Sequence, residues 1–206
     1  MDTSWIFAKG IAIGVAVAAP VGPIGLLCIQ RTISDGLPTG VATGLGAALA
    51  DGIFGAIAAF GLATVSDQLM AHQDPLRIVG GLVLFVLAYR AWYRAPPEMP
   101  SAPVHVRILS GFGTGLAVTL SNPMTIMGFV GIFAGLGLSD LNAGPVSATQ
   151  MVAGVLMGSG MWWLGLCAGT QALKPRFGPH SLAWTNRVAA LLLVGFATVA
   201  IGGVAI

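Results

Sequence analysis

The residue with the most chemical consequence in this 206-residue chain is Asp51, in the run Ala-Ala-Leu-Ala-Asp-Gly-Ile-Phe-Gly (47–55). No Lys or Arg lies within two helical turns of it in sequence. A lone carboxylate in such an apolar segment costs several kcal/mol in lipid unless it is paired, hydrated or protonated. A group that has to exchange a proton to be tolerated is what a proton-coupled carrier uses. The structural alternative is a permanently protonated Asp bonded to a neighbouring helix.

Two further clusters can bind a solute through backbone groups. Pro20-Val-Gly22-Pro23 and Ser121-Asn122-Pro123 interrupt long apolar runs. Proline removes a backbone donor and clashes with the preceding turn, so each site kinks or breaks a helix. A helix restarting after Pro23 or Pro123 points the positive end of its dipole at the gap, which suits a carboxylate. Carbonyls freed by the break suit an ammonium group or a cation. Gly22 removes a Cβ from the approach, and Asn122 offers both donor and acceptor groups. The structural alternatives are a plain kink at 20–23 and a helix cap at Asn122.

Other polar residues predict less. Gln30 and Arg31 end the first apolar run and read as interfacial anchors, and Arg90 and Arg94 as side chains that snorkel to the surface. Trp162 and Trp163 could stack on a ligand but read better as lipid-facing. The histidines (72, 105 and 180) fall in loops, which argues against an intramembrane His relay. Cys28 and Cys167 lie in apolar stretches and read as small buried hydrophobes, without metal-type Cys/His spacing. Thr43-Gly-Leu-Gly46 and Gly154-x-x-x-Gly158 read as tight helix packing, since no strand precedes them as a phosphate loop requires.

These residues need apolar elements to hold them. Hydrophobic residues make up 56% and charged residues 8%, with a mean hydropathy of +0.89. A soluble domain carries about 25% charged residues, so the polar side chains here cannot cover a water-facing surface. The net charge of +2 gives no reason to expect a nucleic-acid partner. The start, Met-Asp-Thr-Ser-Trp, lacks the basic region of a cleaved signal peptide, and the run that follows is read as the first membrane helix.

Crossing the hydrocarbon takes about 20 apolar residues. Candidate spans are 5–29, 39–64, 76–95, 108–137, 148–172 and 187–206. The first and fourth carry the breaks, and broken backbone at depth survives only where protein or a water-filled cavity surrounds it. The sequence thus predicts one all-α membrane domain over 1–206. Its halves, about 1–95 and 108–206, are joined by the proline-rich stretch Arg94–Pro103. Seven of the nine basic residues fall in the loops after spans 1, 3 and 5 or at the span ends beside them, leaving Lys9 and Arg77 for the other side. The positive-inside rule then puts those three loops in the cytoplasm and both termini outside an inner membrane.

The halves resemble each other. Gly14-Val-Ala-Val17 matches Gly115-Leu-Ala-Val118, and residues 46–54 align with 154–162, which sets Asp51 opposite Ser159. Three spans per half is an odd number, so the second half must run inverted. Inverted repeats with broken helices at their interface are a transporter pattern.

On these residues the chain resembles the LysE family of amino-acid exporters and its homoserine/threonine-exporter relatives. The resemblance runs from the first span to the last. It is carried by the break at 20–23, the run Thr-Gly-Leu-Gly-Ala-Ala-Leu-Ala-Asp (43–51), Ser-Asn-Pro (121–123) and Gly-Ser-Gly-Met-Trp-Trp (158–163). It implies gradient-driven export of amino acids or similar small zwitterions, with weight on Gly22, Pro23, Asp51, Asn122 and Pro123. Val21 stands where the family's first proline is usual, with Pro20 one residue earlier.

The expected partners are a small zwitterion, protons or another coupling ion, membrane lipids, and in some settings a second copy of the chain. No cofactor and no enzymatic activity are expected, since no Ser/His, HExxH or carboxylate pair lies inside the membrane. A heavy-metal cation exporter is the alternative, and less so a membrane thiol–disulfide electron carrier, which would need cysteines beside both breaks.

Overall fold

The computed structural model describes residues 3–20, 22–60, 73–93, 103–122, 125, 128–129, 144–174 and 179–202. Val21, Pro123 and the proline-rich joint at 94–102 lie outside the described residues.

Among the described residues the protein forms seven helices and no strand: α1 (Thr3–Ala18), α2 (Pro23–Asp35), α3 (Leu37–Ala59), α4 (Gln73–Trp92), α5 (Val104–Leu120), α6 (Pro145–Leu173) and α7 (Pro179–Gly202). Proline sets several starts. It stands in the first two positions of α2, α3 and α6, where its missing N–H would be unpaired anyway. Before α3 and α6 the chain turns at Gly36 (φ 94°) and Gly144 (φ 97°), conformations that a side chain would strain.

Both sequence breaks end a helix. α1 stops at Ala18 and α2 restarts at Pro23 after an extended Gly22, with the two axes bent by 81°. α5 stops at Leu120, capped by Ser121 N–H to the Ala117 carbonyl, and Thr125 N–H donates to the Asn122 carbonyl.

Helices α3 (23 residues) and α6 (29 residues) are each long and apolar enough to cross a membrane, and the bent α1–α2 pair counts as a third candidate span. At 1.5 Å per residue they reach about 34 and 43 Å, against a hydrocarbon layer of about 30 Å. The expectation of six spans is thereby met only in part. Further apolar helical stretches among the described residues are Gly81–Arg90 in α4, Val104–Leu120 in α5 and Ala190–Val199 in α7. Several boundaries also move, most of all where α2 continues past residue 29 to Asp35 and α7 begins at Pro179, ahead of 187.

Helix α1 packs along α6, α3 against α5 and α6, and α4 along α7, while α2 sits among α3, α6 and α7. The closest crossings are made by glycine from both sides. A Cβ on Gly46 would collide with the Phe112 carbonyl of α5, and one on Gly115 with the Thr43 carbonyl of α3. Gly10 and Gly14 of α1 and Gly154 and Gly158 of α6 interlock in the same way. Without a hydrophobic force between helices in lipid, such small-residue approach is what holds them. The packing role expected of Thr43–Gly46 and Gly154–Gly158 follows directly from these contacts.

The exterior is apolar: Leu109 and Val199 are each 74% exposed, and Leu45, Leu49 and Ile53 form an exposed row on α3. Polar side chains instead occupy the interior, among them Gln30, Thr32, Thr39, Thr43, Asp51, Thr119, Ser147 and Ser159. An apolar surface around a partly polar interior is the distribution that lipid selects.

Candidate functional site

The site forms where α3 crosses α6. Asp51, on the buried face of α3, is 2% exposed. Ser159 of α6 donates its hydroxyl to Asp51 Oδ2 at 2.6 Å. One turn further along α6, Trp163 Nε1 donates to Ser159 Oγ at 3.1 Å. An indole N–H can only donate, so it occupies an acceptor position on Ser159 Oγ and directs the serine hydrogen toward Asp51. Ser159 is the one hydrogen-bonding partner of Asp51 among the described residues.

Small residues admit this contact. A Cβ on Gly52 would strike the Leu156 side chain, and one on Gly14 would lie 2.8 Å from the Ser159 backbone nitrogen. The last turn of α1 therefore rests on Ser159, immediately before the break at 19–22. In the break itself Pro20 is exposed, Gly22 half-buried and Pro23 buried. Among the described residues, a Cβ on Gly22 would meet only the Pro20 carbonyl, at 3.9 Å.

Among the described residues, Asp51 is thus joined to α6. Asn122 stands half-buried at the end of α5, its backbone N–H bonded to the Thr119 carbonyl at 3.1 Å and its carbonyl accepting from Thr125 N–H at 3.1 Å. The cap role expected of it has a backbone counterpart there. Pro123 lies outside the described residues.

One reading changes. Trp163 does not face lipid: it is 5% exposed, and Gly44 of α3 leaves the space for it, a Cβ there falling 2.5 Å from Trp163 Cβ. The signal lay in the i, i+4 spacing to Ser159 and in the glycine opposite. Gln30 and Arg31 lie inside α2, which runs on to Asp35. Gln30 is 4% exposed, and Arg31 Nη2 donates to Thr114 Oγ1 of α5 at 3.1 Å. Arg107 of α5 returns the link, donating to the Asp35 carbonyl at 2.9 Å. The cysteines keep the buried place expected of them. Both are fully buried, and their thiols lie within hydrogen-bonding reach of each other.

No group of three or more His, Cys, Asp or Glu placed to hold a metal occurs among the described residues. What the geometry offers there is a buried acid with one hydroxyl donor. Such a group can hold or release a proton, and it ties two helices together only while its hydrogen bond to Ser159 persists.

The family model of the LysE type translocator matches residues 15–202. The chain belongs to the LysE type translocator family. It is similar to the Escherichia coli (strain K12) protein "Uncharacterized membrane protein YahN", with 33% identity over 139 residues covering 65% of this chain and 60% of that protein. It is also similar to the Bacillus subtilis (strain 168) protein "Putative amino acid efflux protein YcgF", with 26% identity over 163 residues covering 76% of each. The match thus spans less than two thirds of YahN's own length. No solved structure matches the chain. Asp51, Ser159, Trp163, Gly22 and Asn122 all lie inside the stretch that the LysE type translocator model covers.

Proposed function

We propose that this translocator is a secondary exporter of amino acids or similar small zwitterions across the inner membrane, driven by protons through Asp51. The observation that carries the coupling is the Asp51–Ser159 hydrogen bond, a buried acid held by one hydroxyl across the α3–α6 crossing. The amino-acid substrate rests on the family and on the amino acid efflux for which the Bacillus subtilis relative is named. A zwitterion suits the surroundings: the N-terminus of α2 at Pro23 favours a carboxylate, while carbonyls at the breaks, Asn122 and ionised Asp51 favour an ammonium.

The architecture we infer is six spans in two inverted halves, 1–95 and 108–206, with the first and fourth broken. In support, the positions that the repeat sets opposite each other, Asp51 and Ser159, are hydrogen-bonded. The pairing is reciprocal as well: α1 of the first half packs on α6 of the second, α5 of the second on α3 of the first, and α4 on α7. Such a repeat supplies two mirror-related states, one open to each side, and protonation of Asp51 biases their exchange.

The three basic loops belong, on this reading, to the cytoplasm, and both termini to the outside. Two contacts agree that these loops share one end of the bundle: Arg107 donates to the Asp35 carbonyl, and the Arg187 guanidinium lies 6.0 Å over the Trp92 ring. Single cysteines at positions 101 and 140, in a background lacking Cys28 and Cys167, are expected to be closed and open, respectively, to an impermeant external thiol reagent. The opposite pattern overturns the orientation.

The function is tested by loading cells with dipeptides and following what leaves. A deletion strain is expected to accumulate at least one amino acid and excrete less of it than the complemented parent. If no amino acid changes while cadmium or another metal ion does, the heavy-metal exporter takes its place.

A further inference from the structure

Cys28 on α2 and Cys167 on α6 are both 0% exposed and share one core cluster with Leu27, Ala47 and Trp163. Their thiols lie within hydrogen-bonding reach of each other. The Thr32 hydroxyl, which donates to the Cys28 carbonyl at 2.7 Å, also reaches Cys167. Gly44 of α3 closes the third side, a Cβ there falling 3.7 Å from Cys28 Sγ. On α6 the site continues a buried column: Ser159, Trp163 and Cys167 follow at four-residue spacing and Thr170 three residues later, all on the face turned to the core. The dithiol therefore stands two helical turns from the hydroxyl that holds Asp51.

We propose that Cys28 and Cys167 form a thiol-modification site, which a small uncharged peroxide converts into an intrachain disulfide. One sulfur attacks the O–O bond of hydrogen peroxide, giving a sulfenic acid and one water. The second sulfur displaces the sulfenic oxygen, which leaves with both remaining protons as a second water. Two thiols and one peroxide thus become a disulfide and two waters, with sulfur oxidised and peroxide oxygen reduced. Hydrogen peroxide is close to water in size and carries no charge, so burial does not exclude it as it excludes glutathione. The product is neutral and apolar and suits an apolar core.

Bonding brings the sulfurs to about 2.05 Å, which staples α2 to α6. On the exporter reading, to which this consequence is tied, those helices belong to opposite halves whose relative motion carries the solute. The staple therefore arrests transport, and reduction restores it.

The test uses the full-length protein in lipid nanodiscs, treated with hydrogen peroxide and then analysed as intact mass after denaturation without reductant. The expected product is a monomer lighter by two hydrogens, blocked to maleimide at both cysteines together and reopened by dithiothreitol. Cys28→Ala and Cys167→Ala should each yield none of it. Wild-type protein that gains only oxygen atoms, forms only disulfide-linked dimers or keeps both thiols under this treatment overturns the site. In proteoliposomes, peroxide is expected to slow wild-type efflux about tenfold or more, a barrier change of about 1.4 kcal/mol. The Cys28→Ala/Cys167→Ala double variant should be unaffected. A disulfide that forms while efflux continues unchanged overturns the arrest. A reduced protein that forms the disulfide yet moves no amino acid counts against the exporter reading alone, because the mass readout does not depend on transport.

Discussion

Asp51→Asn is expected to reach the membrane at wild-type levels yet lose gradient-driven efflux by about tenfold or more, with a flat pH profile. Asn has nearly the same volume, and its amide oxygen can still accept the Ser159 hydroxyl that reaches Asp51 Oδ2 at 2.6 Å. The α3–α6 contact therefore persists, at a cost of about 1 kcal/mol for an amide N–H without an assigned partner. What disappears is the ability to change charge. A packing role tolerates this exchange, and a proton-carrying role does not.

Ser159→Ala provides the complementary measurement. It removes the hydroxyl that bonds Asp51 and frees the Trp163 indole N–H, so a stability loss of about 1–2 kcal/mol is expected, in line with interhelical hydrogen bonds in membranes. Asp51 remains titratable in that variant, so a pH-dependent rate should remain too. Efflux assayed in proteoliposomes across imposed pH gradients separates the two. Wild-type rates with an unchanged pH profile in Asp51→Asn would make this acid a structural group and remove proton coupling through it.

The second large effect concerns the glycine crossings. Gly115→Ala is expected to melt well below wild type, whereas Gly113→Ala, two residues away on the same helix, should match or exceed it. A Cβ on Gly115 runs into the Thr43 carbonyl and comes within 3.2 Å of the Ala47 nitrogen. These are backbone atoms of α3 and cannot rotate aside, so the helices must separate, with an overpacking cost of about 1–3 kcal/mol. Separation also weakens the neighbouring Gly46–Phe112 approach. At Gly113 no atom lies within 4 Å of the added methyl, and alanine gains about 0.8–1 kcal/mol in helix propensity over glycine. A thermal unfolding series in detergent reads the difference directly. Equal melting of the two variants would mean that α3 and α5 do not cross at Gly115.

How much of this could be read from the chain alone follows from where each signal resides. The helix ends at Ala18 and Leu120 were readable because proline acts on its own backbone and the turn before it, whatever surrounds them. The isolation of Asp51 was readable because it is a property of neighbours in sequence. The interlocking glycines were readable in kind, since small residues in apolar helices have few other uses. The partner of Asp51 was half-visible: the alignment of 46–54 with 154–162 named Ser159, but only the crossing of α3 and α6 brought its hydroxyl to 2.6 Å.

What remained hidden was rotation about the helix axis. In water a helix declares its inner face by being apolar there and polar outside. In α6 both faces are apolar, with Met157, Met161 and Leu164 exposed and Val155, Trp163 and Cys167 buried. Nothing in composition distinguishes Trp162 from Trp163, and packing against Gly44 turned the second inward. The same rotation set Cys167 against Cys28, residues whose distance in sequence carries no information about contact. Arg31 found Thr114 for a related reason: α2 extends beyond the apolar run that suggested its end, so the guanidinium meets α5. Local chemistry was written in the sequence, and the choice among equally apolar faces was made by tertiary packing.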